Sequence, residues 1–287
     1  MNLTDKNEIM DLLKSNGFSF SKSLGQNFLI NPIVCPEMAE AAVTSEDTNV
    51  IEIGPGIGVL TVELAKSAKK VVSIELDDRL FPVLDKTLAD YDNVKVIHGD
   101  VLKLDLKKLI EEEFDDGPIV VCANLPYYIT SPVIMKLLSE NLPLESVTVM
   151  VQKEAADRLC ADVGTREAGA VTVAINYYAY AEKLFFVDRD SFMPAPKVDS
   201  EVIKLHLKGN DRPTVKDEKA FFSMVKGAFA KRRKTILNSL SSSLGITKDE
   251  LREILKTMGL PETARIENIK LDELIEIYKL SKEIKNK

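Results

Sequence analysis

From Asn49 onward the chain keeps one rhythm, in which short β-branched runs alternate with amphipathic stretches. The apolar runs are VIEI at 50–53, VVSIEL at 71–76, VKVIHG at 94–99, PIVVCANL at 118–125 and VTVMVQ at 147–152. Between them lie helix candidates at Val59–Ser67, Arg79–Asp90 and Pro132–Glu140. Parallel strands need a crossover, and the crossover helix lands on a face of the sheet. The alternation therefore predicts an α/β fold with a mainly parallel sheet covered on both sides. Two more strand candidates, LFFVD at 184–188 and EVIKLHL at 201–207, follow a longer helical stretch. Residues 1–48 carry helical patterning, interrupted by the loop SKSLGQNFLINP. After Gly209 the β-runs stop, and residues 217–284 read as several helices with polar breaks at Ser241–Gly245 and Gly259–Pro261. The stretch KGNDRPT at 208–214 has linker composition. Two domains are expected: an α/β body with an N-terminal helical extension over 1–208, and a small all-helical domain over 209–287.

Composition excludes several classes. Hydrophobic residues make up 45% of the 287 and charged residues 29%, which is enough apolar material for a sizeable core. A formal net charge of −7 does not advertise a partner rich in phosphate. Local patches, however, decide such binding more than the total does. Cys35, Cys122 and Cys160 are far apart with no CxxC pair, and the only histidines are His98 and His206. That set fits reduced thiols and gives no basis for a metal site. The N-terminus MNLTDKNEIM is polar, and no apolar run approaches the ~18 residues of a membrane span. A soluble, cytoplasmic, monomeric protein with no membrane partner is expected.

The segment Glu52-Ile-Gly54-Pro-Gly56-Ile-Gly58 follows the first strand of the sheet and opens a helix. Ligands of open α/β sheets bind beyond the carboxyl ends of strands, and glycines there let the backbone approach closely. The spacing differs from the dinucleotide pattern G-x-G-x-x-G, because Gly58 comes two residues after Gly56 and Val59 stands where the third glycine would be. Glu75 closes the second strand and can accept from both hydroxyls of a ribose. Asp100 follows the third strand and can accept from an adenine amino group, with Val101 beside the ring. Each carboxylate alone could be a helix N-cap. The loop and the two acids, at three successive strand ends, resemble the S-adenosylmethionine-binding half of the Rossmann-like methyltransferases.

Asn124-Leu125-Pro126-Tyr127 ends the fourth strand. It resembles the N-P-P-Y loop of methyltransferases that act on amino groups of bases. The N6 lone pair of adenine is delocalised into the ring and attacks poorly. An Asn124 side-chain oxygen and a Leu125 carbonyl that hold the amino hydrogens would let the nitrogen pyramidalise. Pro126 stiffens the turn. Tyr127 can stack on the base, which contributes about 1–3 kcal/mol. Alone, the tetrapeptide could equally be a proline turn after a buried strand.

Three further stretches join these: Gly25-Gln26-Asn27-Phe28-Leu29, Phe192-Met193-Pro194-Ala195-Pro196-Lys197-Val198-Asp199-Ser200, and Lys231-Arg232-Arg233-Lys234-Thr235. Together with the glycine loop and N-L-P-Y-Y-I-T-S-P, they resemble the ribosomal RNA adenine dimethyltransferases over nearly the whole chain. The bacterial small-subunit (16S) branch matches best. The resemblance implies S-adenosylmethionine-dependent N6,N6-dimethylation of two adjacent adenosines near the 3′ end of 16S ribosomal RNA, with a role in ribosome biogenesis. It implies a cofactor site of Asn27, Leu29, Gly54, Gly56, Gly58, Glu75, Asp100, Val101 and Asn124. It also implies that Phe192 faces Tyr127 across the target base, although Phe192 alone reads equally as a core anchor.

The cluster Lys226, Lys231, Arg232, Arg233 and Lys234 is the candidate for RNA phosphates, or else a solvated helix face. Two alternatives stay open. One is a large-subunit (23S) adenine N6-methyltransferase of the macrolide-resistance type. The other is a ribosome-assembly factor that works mainly by binding. A nicotinamide oxidoreductase is disfavoured by the glycine spacing.

Overall fold

The structure is a computed structural model that describes residues 1–18 and 26–285. Gly25, from the N-terminal motif, lies outside the described residues. In chain order the elements begin with α1 (Lys6–Ser15), β1 (Phe28–Leu29), α2 (Val34–Ala42), β2 (Asn49–Ile53), α3 (Val59–Ala65), β3 (Lys70–Glu75), α4 (Phe81–Thr87), β4 (Val94–His98) and α5 (Leu106–Glu113). Next come β5 (Ile119–Asn124), α6 (Thr130–Ser139), β6 (Ser146–Gln152), α7 (Lys153–Leu159), α8 (Ala170–Tyr178), β7 (Ala179–Val187), β8 (Phe192–Met193) and β9 (Ser200–Leu207). The chain ends with α9 (Glu218–Ala230), α10 (Ile236–Leu244), α11 (Lys248–Thr257) and α12 (Leu271–Lys285).

The chain forms two units: 1–156 with 182–207, and 157–181 with 208–287. This differs from a single cut at 208/209, because 157–181 groups with the C-terminal helices. The reason is aromatic packing: Tyr177 and Tyr178 lie 5.2 and 5.4 Å from the Phe222 ring. Both tyrosine hydroxyls donate to Glu218, at 3.0 and 2.8 Å.

The first unit is built on a seven-stranded sheet ordered β4-β3-β2-β5-β6-β9-β7. The pairs β3–β4, β2–β3, β2–β5 and β5–β6 are parallel, and β6–β9 is antiparallel. Every residue of β2 is buried, as a strand covered on both faces requires. One covering layer joins α2 and α3 to Val50, Val71, Val120 and Met150; in another cluster α1 and α4 meet around Ile57 and Phe28. Chain order runs outward from β2 through β3 to β4, then returns to β5 on the other side. The switch point, where strand order reverses, therefore falls between β2 and β5. That is where a crevice for a ligand forms in such sheets.

The second unit corrects one sequence expectation. The polar stretch Ser241–Gly245 does not break a helix until its last residue. Helix α10 runs on to Leu244, and Gly245 caps it in the left-handed conformation at φ 66°. The serines are tolerated because their hydroxyls bond back to carbonyls of the preceding turn, as Ser243 does to Ser239 at 2.8 Å. The break comes earlier, at Lys231–Thr235. The basic run is therefore a turn between α9 and α10 and not a helix face.

Candidate active site

A cavity opens at the switch point, lined by residues from the carboxyl ends of β2, β3, β4 and β5 and from the segments at 26–29 and 192. Gly54 and Gly56 take φ of 72° and 60°, in the left-handed region that favours glycine. A Cβ built on Gly54 would meet nothing within 4 Å, so this glycine opens onto the space of the cavity. Gly58, expected beside them, does not line the cavity. At φ 90° its missing Cβ faces α4, where one would sit 3.0 Å from Thr87 Oγ1 and 3.2 Å from Leu88 Cδ2. Its role is close helix packing.

Glu75 is buried at the end of β3 and lines the cavity. Its carboxylate accepts from the Asp77 N–H at 2.7 Å and the Gly56 N–H at 3.3 Å. Burial holds its carboxyl above the usual carboxylate range, against those hydrogen bonds. One Asp100 oxygen caps the following turn through Leu102 N–H at 3.0 Å, and the residue also lines the cavity beside Val101.

Asn124 ends β5, and among the described residues its side-chain amide has no hydrogen-bond partner. Leu125 is buried and lines the cavity beside Asn124. Pro126 at φ −55° leads into a single 3₁₀ turn, Tyr127–Ile129, which leaves Tyr127 half-buried in the cavity wall. The hydroxyls of Tyr127 and Ser200 are 2.8 Å apart and share a hydrogen bond.

The segments at 26–29 and 192–193 are far apart in sequence but pair as a two-stranded antiparallel ribbon. Phe28 stands opposite Met193, and Leu29 opposite Phe192. Ile30 N–H also donates to the Ser191 carbonyl at 2.9 Å. Asn27, Leu29 and Phe192 thereby reach the same cavity. Phe192 is at once a core residue and a wall residue.

Gln26, Ile57, Leu76 and Tyr128 are among the wall residues that escaped the sequence reading. Leu76 and Tyr128 carried a signal, since each directly follows a residue already singled out. Their exposures of 48% and 57% mark apolar surface at the cavity. Gln26 was legible only through its partner, Asp77, to which it donates at 2.7 Å. Glu52, at the head of the glycine loop, is not in the wall. It is fully buried and accepts from Thr61 at 2.7 Å and Ser73 at 2.6 Å, while Oε1 has no partner among the described residues. Burial pushes its carboxyl up to about 7.

In the second unit, Lys226, Arg233 and Lys234 are exposed and Lys231 donates to Ser242 at 2.6 Å. Arg232 is half-buried and pairs with Glu267 at 2.5 Å while donating to the Arg166 carbonyl. Arg232 is therefore occupied inside its own unit. Among the described residues, no group of three or more His, Cys, Asp or Glu could hold a metal ion, and no helix is long and apolar enough to cross a membrane.

Comparison with known proteins gives consistent matches. The sequence model of the family described as Ribosomal RNA adenine dimethylase matches residues 17–283. Ribosomal RNA small subunit methyltransferase A of Geobacillus thermodenitrificans (strain NG80-2) is 49% identical over 267 residues, covering 92% of this chain and 91% of that protein. A dimethyladenosine transferase from Plasmodium falciparum superposes with a TM-score of 0.69 at 28% identity, covering 87% of this chain and 95% of the other. The 23S rRNA methyltransferase ErmE superposes with a TM-score of 0.67 at 27% identity, covering 89% and 100%.

Proposed function

The chain belongs to the ribosomal RNA adenine dimethylase family, and from that premise we propose that it dimethylates the N6 amines of two adjacent adenosines near the 3′ end of 16S ribosomal RNA. It acts as a monomer in the cytoplasm, on the small ribosomal subunit or its precursor. The observation that carries this reading is the Asn124 amide, unpartnered among the described residues, in the same cavity lining as Gly54, Glu75 and Asp100. The 23S alternative is less well supported, because 49% identity to a small-subunit enzyme stands against 27% to ErmE.

The wall fits S-adenosylmethionine. Gly54 opens the backbone toward the cavity, Glu75 suits the ribose hydroxyls, and Asp100 with Val101 suits an adenine edge and face. Asn27, Leu29 and Gly56 complete that side. When bound, the cofactor supplies an electrophilic sulfonium methyl. The residues of the chain hold and orient the nucleophile. Asn124 Oδ1 and the Leu125 carbonyl accept from the two amino hydrogens of the target adenine, which points the nitrogen lone pair into the cavity. Pro126 fixes the turn, and Tyr127 and Phe192 hold the base between them. No strong base is needed, since the N-methylated amine is acidic and loses its proton readily. Alignment of this kind is worth about 7–11 kcal/mol of barrier in favourable cases. The target must leave its stack to enter, so it lies in an accessible RNA element.

Lys226, Lys231, Arg233 and Lys234 bind RNA phosphates, and Arg232 serves mainly to hold the turn that presents them. Replacing Lys226, Arg233 and Lys234 with alanine should lower the salt dependence of RNA binding by about 0.7–0.9 in log–log slope for each phosphate no longer neutralised. An unchanged slope removes the cluster from the interface.

The deciding experiment is methyl transfer from labelled S-adenosylmethionine to immature small subunits, with nucleoside analysis of the RNA. N6,N6-dimethyladenosine at two adjacent sites is the expected result. Label in large-subunit RNA would favour the resistance type. Absence of label despite subunit binding would leave an assembly factor.

A further inference from the structure

The motif that ends at Ser200 supplies more than the wall residue Phe192. Ser200 is 0% exposed and does not line the cavity, so it touches neither substrate nor cofactor. Among the described residues, its side chain makes one hydrogen bond, to the Tyr127 hydroxyl. Its own position is tightly held. Ser200 pairs with Gln152 in the β6–β9 ladder. The preceding Asp199 is gripped by Arg189 at 2.8 and 3.0 Å, and its carbonyl accepts from Lys153 N–H at 3.0 Å. Tyr127 has no comparable support, since it sits half-buried in a three-residue turn. Burial raises the Tyr127 phenol, so its hydroxyl stays protonated and bonded.

We propose that Ser200 is a positioning residue that holds the Tyr127 ring against the target adenine, and that this hold governs the second methyl transfer more than the first. The inference rests on the function proposed above. Before the first transfer the amine has two hydrogens, for Asn124 and Leu125. After it, one hydrogen has been replaced by a methyl group, so one of those two bonds is lost. The orientation of the monomethylated base then depends more on the ring it stacks against. A ring freed from its anchor therefore penalises the second step disproportionately. Each step forms one N–C bond, breaks one S–C bond and releases one proton from the amine.

The test is a time course on small ribosomal subunits with S-adenosylmethionine, in which N6-methyladenosine and N6,N6-dimethyladenosine are quantified separately. Ser200→Ala should slow the first transfer by about 2- to 10-fold, the range one hydrogen bond spans. The second should slow by about tenfold more, as small misplacements of reacting groups do, so that the monomethyl product accumulates. Cofactor affinity measured by calorimetry should stay within about twofold, because Ser200 does not reach the cofactor wall. Tyr127→Phe removes the same bond from its other end, keeps the ring, and should give the same product ratio. The double variant should be no worse than either single variant. If Ser200→Ala does not fold, Tyr127→Phe alone decides: a wild-type product ratio overturns the proposal. Wild-type ratios in Ser200→Ala, or multiplied effects in the double variant, also overturn it. These outcomes leave the proposed function intact if the unmodified protein dimethylates. If it does not, both fall.

Discussion

On one wall of the cavity, Gly54, Glu75 and Asp100 each stand at or just after the end of a parallel strand, so neighbouring strand ends bring them together. Elsewhere in the lining, Tyr127 and Phe192 depend on partners far along the chain. Tyr127 is tied to Ser200, and Phe192 pairs with Leu29. The first wall is fixed by the sheet itself. The second is assembled from a turn and a two-stranded ribbon, and long-range pairings hold its shape. Under the proposed function, a wall fixed by the sheet would suit a cofactor that binds alike in every turnover, and the assembled wall would receive a base in two methylation states.

The largest expected effect tests whether the walls are separable. Asn124→Ala should lower methyl transfer by about 10²- to 10³-fold, as loss of a single aligned polar group does in other sites. Cofactor affinity should change little by calorimetry. An equal loss of both would mean that Asn124 belongs to the cofactor wall first. Glu75→Gln gives the converse: cofactor affinity should fall by about 10- to 100-fold, the worth of a charged hydrogen bond. At saturating cofactor the rate should largely recover.

A smaller effect separates two glycines of one loop. Gly58→Ala and Gly54→Ala both place a side chain at positive φ, at about 1–2 kcal/mol. Gly58→Ala adds a 3.0 Å approach to Thr87 and should lower stability in denaturant titration while the site keeps its affinity. Gly54→Ala meets no protein atom and should instead lose cofactor affinity.

A pH-dependent effect lies at Glu52, at the head of the glycine loop. Burial raises Glu52 from 4.5 to about 7, with Glu75 contributing repulsion. The folded state thus holds a proton that the unfolded chain releases near pH 4.5. Stability from this group is complete below that pH and declines as pH rises through about 7. The slope is at most about 1.4 kcal/mol per pH unit. Glu52→Gln should flatten the decline between about pH 5 and 7 measured by urea titration. An unchanged slope would assign it to Glu75, whose carboxyl is raised in the same direction.

The alternating apolar runs determined the parallel sheet, and the spacing of residues at its strand ends marked out Gly54, Glu75, Asp100 and Asn124, which meet in one cavity lining. Those features are local, because a strand end, a glycine turn and the next helix lie within a few residues of each other. Tertiary structure decided the rest. It turned Gly58 from the cavity toward α4, and it committed Arg232 to Glu267. It grouped Tyr177 and Tyr178 with Glu218, and so moved the division between units. It also bonded Tyr127 to a serine 73 residues away. Such pairings leave no period or spacing in a sequence, since a hydrogen bond or a packed ring depends on where the backbone has been carried, and only the folded sheet carries it there.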